Sequence, residues 1–230
     1  MGQFSKFPEV LYEDNHIIAV NKRPGDISQG DKTGDVPLGD LVKAYIKEKY
    51  QKPGEVFLGT VHRIDRPVSG VVIFAKTSKA LSRLNQLFHD REVQKTYWAV
   101  VKERPPKAKD TLIQYLKKNQ KLNKSFAKDT PYPGGLKSEL SYAVLKTLKT
   151  FFLLEVLPKT GRHHQIRVQL SSMGCPIKGD VKYGFDRPNR DASIHLHARQ
   201  IEFLHPVKKE PLKIIAPPPK DVIWTACLED

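Results

Sequence analysis

The chain has 230 residues, and 39 Lys and Arg against 25 Asp and Glu leave a formal net charge of +14. That length accommodates one domain, or two small ones, with enough chain to bury a core. No apolar run reaches the roughly 18 residues needed to cross a bilayer, the opening MGQFSKFPEV carries no leader-like apolar segment, and Cys175 and Cys227 are too few for a disulfide scaffold or a cysteine-rich zinc site.

Along the chain, Leu11–Lys22 reads as two short strands joined by a Glu13-Asp14-Asn15 turn, punctuated by Arg23-Pro24-Gly25. Leu38, Leu41, Val42, Tyr45 and Lys49 recur at helical spacing between Pro37 and Tyr50, and Lys52-Pro53-Gly54 closes that helix. A strand through Thr60-Val61, an irregular segment His62–Gly70 and a strand Val71–Ala75 follow. Ser78 is the expected cap of a helix with Leu81, Leu84, Leu87 and Phe88 on one face. Thr96–Val101 is a strand, Lys102–Lys128 is a basic stretch without an assigned element, and Pro131–Gly135 is a turn. Glu139–Leu148 and Phe151–Leu157 read as strands. A short helix around Ile166, Leu170 and Met173 ends at Gly174. Strands at Ile194–Leu204 and Leu212–Ile215 precede Pro217-Pro218-Pro219 and a tail, Asp221–Leu228. Strands dominate without βαβ alternation, which predicts an α+β fold on a mixed, largely antiparallel sheet. With no repeat and no low-complexity linker, one domain over residues 1–230 is expected, in a soluble cytoplasmic protein.

The positive charge suits a polyanionic partner, because Lys and Arg bound to phosphates release condensed counterions. Lys102–Lys128 holds nine Lys and Arg against Glu103 and Asp110, with Tyr115 and Phe126 interleaved. That mixture fits a nucleic-acid strand, and it also fits a solvated loop.

Three segments carry candidate chemistry. In His62-Arg63-Ile64-Asp65-Arg66-Pro67-Val68-Ser69-Gly70, Pro67 and Gly70 place Asp65 on a loop, where the flanking arginines favour the ionised carboxylate. Such a group serves as nucleophile, electrostatic stabiliser or metal ligand, or it makes a loop salt bridge. The His-Arg-x-Asp pattern departs from a kinase catalytic loop, and neither a glycine-rich phosphate loop nor Asp-Phe-Gly accompanies it. Thr160–Arg167 brings cations to a helix start, which suits an anion. His163 and His164, as helix neighbours, are expected to point apart, against a zinc site, while His195 and His197 share a strand face that is more simply sheet surface. In Lys95-Thr96-Tyr97-Trp98-Ala99, Trp98 is expected in the core and Tyr97 on the opposite side, offering a ring and a hydroxyl.

Taken together and in order, these segments resemble the RluA family of pseudouridine synthases. HRIDRPVSGVVIFAKTSKALSRLNQLF is similar to the family's His-Arg-Leu-Asp segment with its later Ala-Lys-Thr, and Lys95–Ala99 to Lys-x-Tyr-x-Ala. Gly161–Arg167 with GCPIKGDVKYG resembles Gly-Arg-x-His-Gln-Ile-Arg and its sequel, and IHLHARQIEFLHPV the closing Leu-His-Ala strand. The likeness runs from about Leu11 to Ile215. Ile64 stands for the usual Leu, His163 for Thr or Ser, and Gln169 for His.

The resemblance implies a curved sheet with flanking helices around a central RNA-binding cleft, and isomerisation of uridine to pseudouridine in rRNA or tRNA. It implies Asp65 as catalytic carboxylate, Arg167 as its ion-pair partner and Tyr97 packed against the detached base. Arg63, His62, Arg162, Gln165 and Ile166 are the implied substrate-binding residues, with Arg63 helping to hold the duplex open while the uridine is flipped. Residues 102–135 become a basic RNA-contacting insertion. No cofactor and no metal is expected, nor a membrane or obligate protein partner. A monomer is expected, and with some ten residues before the first strand an S4 domain is not. A non-catalytic RNA-binding protein, and a hydrolase or nuclease using Asp65 with His62 or His164, are the competing readings.

Overall fold

The computed structural model describes residues 6–28, 30 and 34–229; residues 1–5, half of the segment read above as lacking a leader, lie outside the described residues. In chain order the elements are β1 (Glu9–Glu13), β2 (Ile17–Lys22), α1 (Leu38–Lys49), β3 (Gly59–Thr60), β4 (Ser69–Ala75), α2 (Ser78–His89) and β5 (Gln94–Val101). They continue with β6 (Lys109–Asn119), β7 (Lys124–Lys128), β8 (Leu136–Thr147), β9 (Phe152–Pro158), α3 (Gln165–Ser172), β10 (Leu196–Leu204), β11 (Pro211–Ile215) and α4 (Val222–Leu228). The expected α+β class holds. Contacts divide the chain into two compact units, Met1–Val93 with Ala198–Pro218, and Gln94–His197 with Pro219–Asp230.

In the first unit β1 and β2 form an antiparallel hairpin whose turn is set by Asp14: one carboxylate oxygen accepts the amides of His16 and Ile17 at 2.8 and 2.9 Å. β2 pairs antiparallel with β4, β3 runs along the end of β4, and β10 neighbours β4 and carries β11. Ile17, Ala19, Val71, Ile73 and Ala75 share a cluster with Ala80 and Leu84 of α2 and with Ile201, Phe203 and Ile214. The alternate residues Ile18, Val20, Val72 and Phe74 are buried as well. On that side Gly39 of α1 lies close enough that a Cβ there would meet the Phe74 ring at 3.7 Å. Covering both faces explains why β4 reads as a continuous apolar run. Each fully buried aliphatic of this kind is worth about 1.5–3 kcal/mol. The side-chain cap of α2 comes from Thr77, which accepts the Ala80 amide at 3.2 Å, and Ser78 is the first helical residue rather than the expected cap.

The second unit is built on β5-β9-β8-β6-β7, antiparallel at every junction. The basic stretch is thus not an open loop: most of it forms β6 and β7, with Leu116 and Ala127 directly opposite each other. Leu116 and Ala127 pack with Val168 of α3 and with Tyr183. The tail is also more ordered than its sequence suggests. Asp221 caps α4 by accepting the amides of Ile223 and Trp224, both at 2.8 Å, which lays Trp224 and Cys227 against Val100 and Leu153.

Candidate active site

The first unit supplies the segment around Asp65. A chain following β2 in strand alternation puts Lys22 on the same side as Ile18 and Val20, and its side chain is fully buried. The ammonium donates to the carbonyls of Arg23 at 3.0 Å, Arg66 at 3.0 Å and Val68 at 2.7 Å. Burial pushes Lys22 down to about 7, against the pull of the Asp26 and Asp65 carboxylates. Three acceptors for three N–H donors is the arrangement that makes a buried ammonium tolerable. The same loop is held by Gly25, whose amide donates to the Arg66 carbonyl at 2.9 Å, and by Ser28, whose hydroxyl donates to the Ile64 carbonyl at 2.9 Å. The backbone carbonyl of Asp65 closes the turn by accepting the Val68 amide at 3.0 Å.

Glycine at position 70 is required twice over: φ is +117°, and a Cβ there would come within 2.3 Å of the Ala198 carbonyl oxygen. Ahead of Asp65, the His62 ring stacks on Phe88 with centroids 4.9 Å apart, and its Nε2 accepts the Ile73 amide at 2.9 Å. Arg63 is exposed, and Ile64 is buried. Arg66 turns outward to Asp35, 2.6 Å away.

The second unit supplies the rest. Tyr97 of β5 lies opposite Val156 of β9 and is partly buried. Arg167, third residue of α3, is buried and makes a two-pronged ion pair with Asp180: Nε to Oδ2 at 2.6 Å and Nη2 to Oδ1 at 2.8 Å. Its guanidinium carbon lies 5.1 Å from the centre of the Tyr183 ring. Two such bonds fix the plane of the guanidinium. The Tyr183 hydroxyl accepts the Ser125 amide at 2.8 Å and shares a second hydrogen bond with His164 Nδ1, 2.9 Å away. Ser125 Oγ donates to the His163 carbonyl at 2.7 Å and accepts from His163 Nδ1 at 2.9 Å. A chain of hydrogen bonds therefore runs from β7 to the ring beneath Arg167.

Gln165 is buried and engaged within its own turn: Oε1 accepts from Thr160 Oγ1 at 2.7 Å and the Arg162 amide at 3.0 Å, and Nε2 donates to the Glu139 carbonyl at 3.0 Å. Ile166 is buried and Arg162 is exposed.

The expected residues thus fall into two groups, His62, Arg63 and Asp65 in one unit, and Tyr97, Arg162, Gln165, Ile166 and Arg167 in the other. Sequence reasoning passed over Lys22, Asp180 and Tyr183. The signal for Lys22 was available, because strand alternation after Ile18 and Val20 aims it inward. Two expectations about histidines fail. His163 and His164 do not point apart but stack at 3.7 Å, because His164 has φ 54° and stands before the helix rather than in it. His195 and His197 are buried rather than sheet surface, and both rings meet Trp224, at 5.3 and 5.9 Å. Among the described residues no group of three or more His, Cys, Asp or Glu is arranged to hold a metal ion.

Comparison with known proteins extends this picture. A family model described as RNA pseudouridylate synthase matches residues 16–172. The chain is 34% identical to the ribosomal large subunit pseudouridine synthase C of Vibrio cholerae, over 90% of its own length and 65% of that protein's. It is 32% identical to the tRNA pseudouridine synthase C of the same organism, over 96% of this chain and 95% of the relative. The fold matches human RNA pseudouridylate synthase domain containing 4 with a TM-score of 0.79 at 23% identity, over 95% and 92% of the two chains.

Proposed function

Because the chain belongs to the RNA pseudouridylate synthase family, we propose that it isomerises particular uridines of ribosomal or transfer RNA to pseudouridine. The C1′–N1 bond breaks, the detached base turns, and a C1′–C5 bond forms. C5 loses a proton and N1 gains one, so composition and oxidation level are unchanged and no cofactor is invoked.

Asp65 is the catalytic carboxylate. Arg167, its guanidinium held in plane by Asp180, is the catalytic cation of the set. Tyr97 packs against the free base and helps remove the C5 proton. A stacked uridine hides its glycosidic bond, so the nucleotide is flipped at a cost of about a few kcal/mol, and the exposed Arg63 occupies the gap. Arg162 meets phosphate and Ile166 offers an apolar side to the base. His62 and Gln165, whose ring and amide are engaged within the chain, place the segments through which substrate is met. The basic β6–β7 hairpin runs along the RNA backbone, and the protein acts as a cytoplasmic monomer.

The observation that carries this reading is the Asp65 loop itself, with a buried ammonium bound to the Arg66 and Val68 carbonyls that follow the carboxylate. A surface salt bridge would not need such a mounting. The test is Asp65→Ala assayed on total RNA for pseudouridine. Formation is expected to be abolished while RNA affinity stays within several-fold. Retained formation would overturn the assignment.

A further inference from the structure

The second unit holds a cation that its own fold leaves uncompensated. Lys95 stands second in β5 and is partly buried. Burial pushes its ammonium toward the neutral form, and no carboxylate pulls it back. Other lysines drawn away from solvent are treated differently. Lys22 meets three carbonyls, Lys76 meets Glu13 at 2.7 Å, and Lys178 meets the Asn189 amide oxygen at 2.7 Å. Among the described residues, Lys95 Nζ has neither an ion pair nor a hydrogen bond.

Its position is specific. Strand alternation puts Lys95 on the same side of β5 as Tyr97, about 7 Å along the strand. The ammonium reaches the turn after β9, where a Cβ on Gly161 would stand 3.9 Å from Nζ. Gly161 is exposed, and without a side chain it leaves the approach to that ammonium open from the turn. The next residue is the exposed Arg162, whose amide is tied to Gln165 Oε1 at 3.0 Å and is thereby held in place. An ammonium partly stripped of water and lacking an anion gains more from an arriving phosphate than a fully solvated one, because part of its desolvation has already occurred in the free protein.

We propose that Lys95 binds a backbone phosphate of the RNA strand adjoining the target uridine, with Arg162 as a second cation on the same strand. The inference rests on the reading of this chain as an RNA pseudouridine synthase, and it assigns the strand face beside Tyr97 to the ribose-phosphate chain rather than to the base.

The test compares Lys95→Met, which keeps the stem and removes the charge, with Lys95→Arg, which keeps the charge. RNA affinity is measured by titration of a transcript across a series of salt concentrations. Lys95→Met is expected to bind at least about tenfold more weakly, the size expected for a hydrogen bond to a charged group. The slope of log affinity against log salt is expected to shrink by about 0.7–0.9, the share of one phosphate contact. Lys95→Arg restores both, and in turnover the Met variant loses more in KM than in kcat. An unchanged salt slope in Lys95→Met overturns the proposal. Equal weakening in the two variants also overturns it, since a packing role would not distinguish them by charge. Failure of the wild type to form pseudouridine on any RNA would instead sink the functional reading, while the salt slope, read from binding alone, still judges Lys95.

Discussion

Replacing Lys22 by methionine would leave the carbonyls of Arg23, Arg66 and Val68 without their shared donor in a buried site. The Arg66 carbonyl keeps the Gly25 amide, and with the other two acceptors losing this donor at roughly 1–3 kcal/mol each, Lys22→Met is expected to destabilise the protein by at least about 2 kcal/mol in urea unfolding. The pH dependence has a definite sign. Lys22 is depressed from 10.5 to about 7 in the folded chain, so between those values the unfolded chain binds more protons. Stability from this group therefore rises with pH above 7, and the gap between wild type and Lys22→Met should widen by at most about 1.4 kcal/mol per pH unit. A gap that stays flat from pH 7 to 9 would show that the three carbonyls keep the ammonium charged. Asp65 and its flanking arginines were legible from residue types alone. The carbonyls that hold the loop were not, because backbone acceptors leave no mark in a sequence.

Between elements, Glu13 at the end of β1 gathers α1 and the end of β4. Its carboxylate takes Lys49 and Lys76 at 2.7 Å each, and the hydroxyls of Tyr45 at 3.2 Å and Tyr50 at 3.0 Å. Burial opposes the charge, but the lysine hydrogen bonds overcome it and bring Glu13 down to about 2 from 4.5. The folded value is the lower one, so the stabilisation is complete above pH 4.5 and disappears as pH falls through 2. With solvent screening the pairing to the half-exposed Lys49, Glu13→Gln is expected to cost about 1–2 kcal/mol at pH 7, with wild type and variant converging near pH 2 in thermal or urea melts. An equal gap at both pH values would refute the charge-based account. Elements such as α1 and α2 were legible because their apolar residues recur every three to four positions. The β6–β7 hairpin was hidden by its lysines: outward positions of an outer strand carry charge freely, and Lys117 and Lys118 break any simple alternation. His163 and His164 misled for a related reason, since one residue at positive φ before α3 cancels the helical directions assumed for both.

At the scale of the whole molecule, the +14 charge and the family together predict a modification enzyme with a restricted set of RNA targets. Pseudouridine mapping of total RNA from cells with and without the gene should show loss of signal at one or a few uridines in rRNA or tRNA; identical maps would count against the proposal. The antiparallel bias of the sheets was legible from the sequence, whereas the division into two units was not. That division depends on which distant strands meet, and no local pattern encodes it. It has a bearing on biosynthesis. The sheet beside the Asp65 loop is completed by Ala198–Pro218, so β4 leaves the ribosome long before β10 can cover its flank. At ~5–20 residues per second, the stretch from Ala75 to Ala198 takes roughly 6–25 s to translate. Throughout that interval the flank of β4 beyond its short pairing with β3 lacks a partner strand along Val71–Ile73, the kind of apolar edge that chaperones shield and that aggregates when they do not.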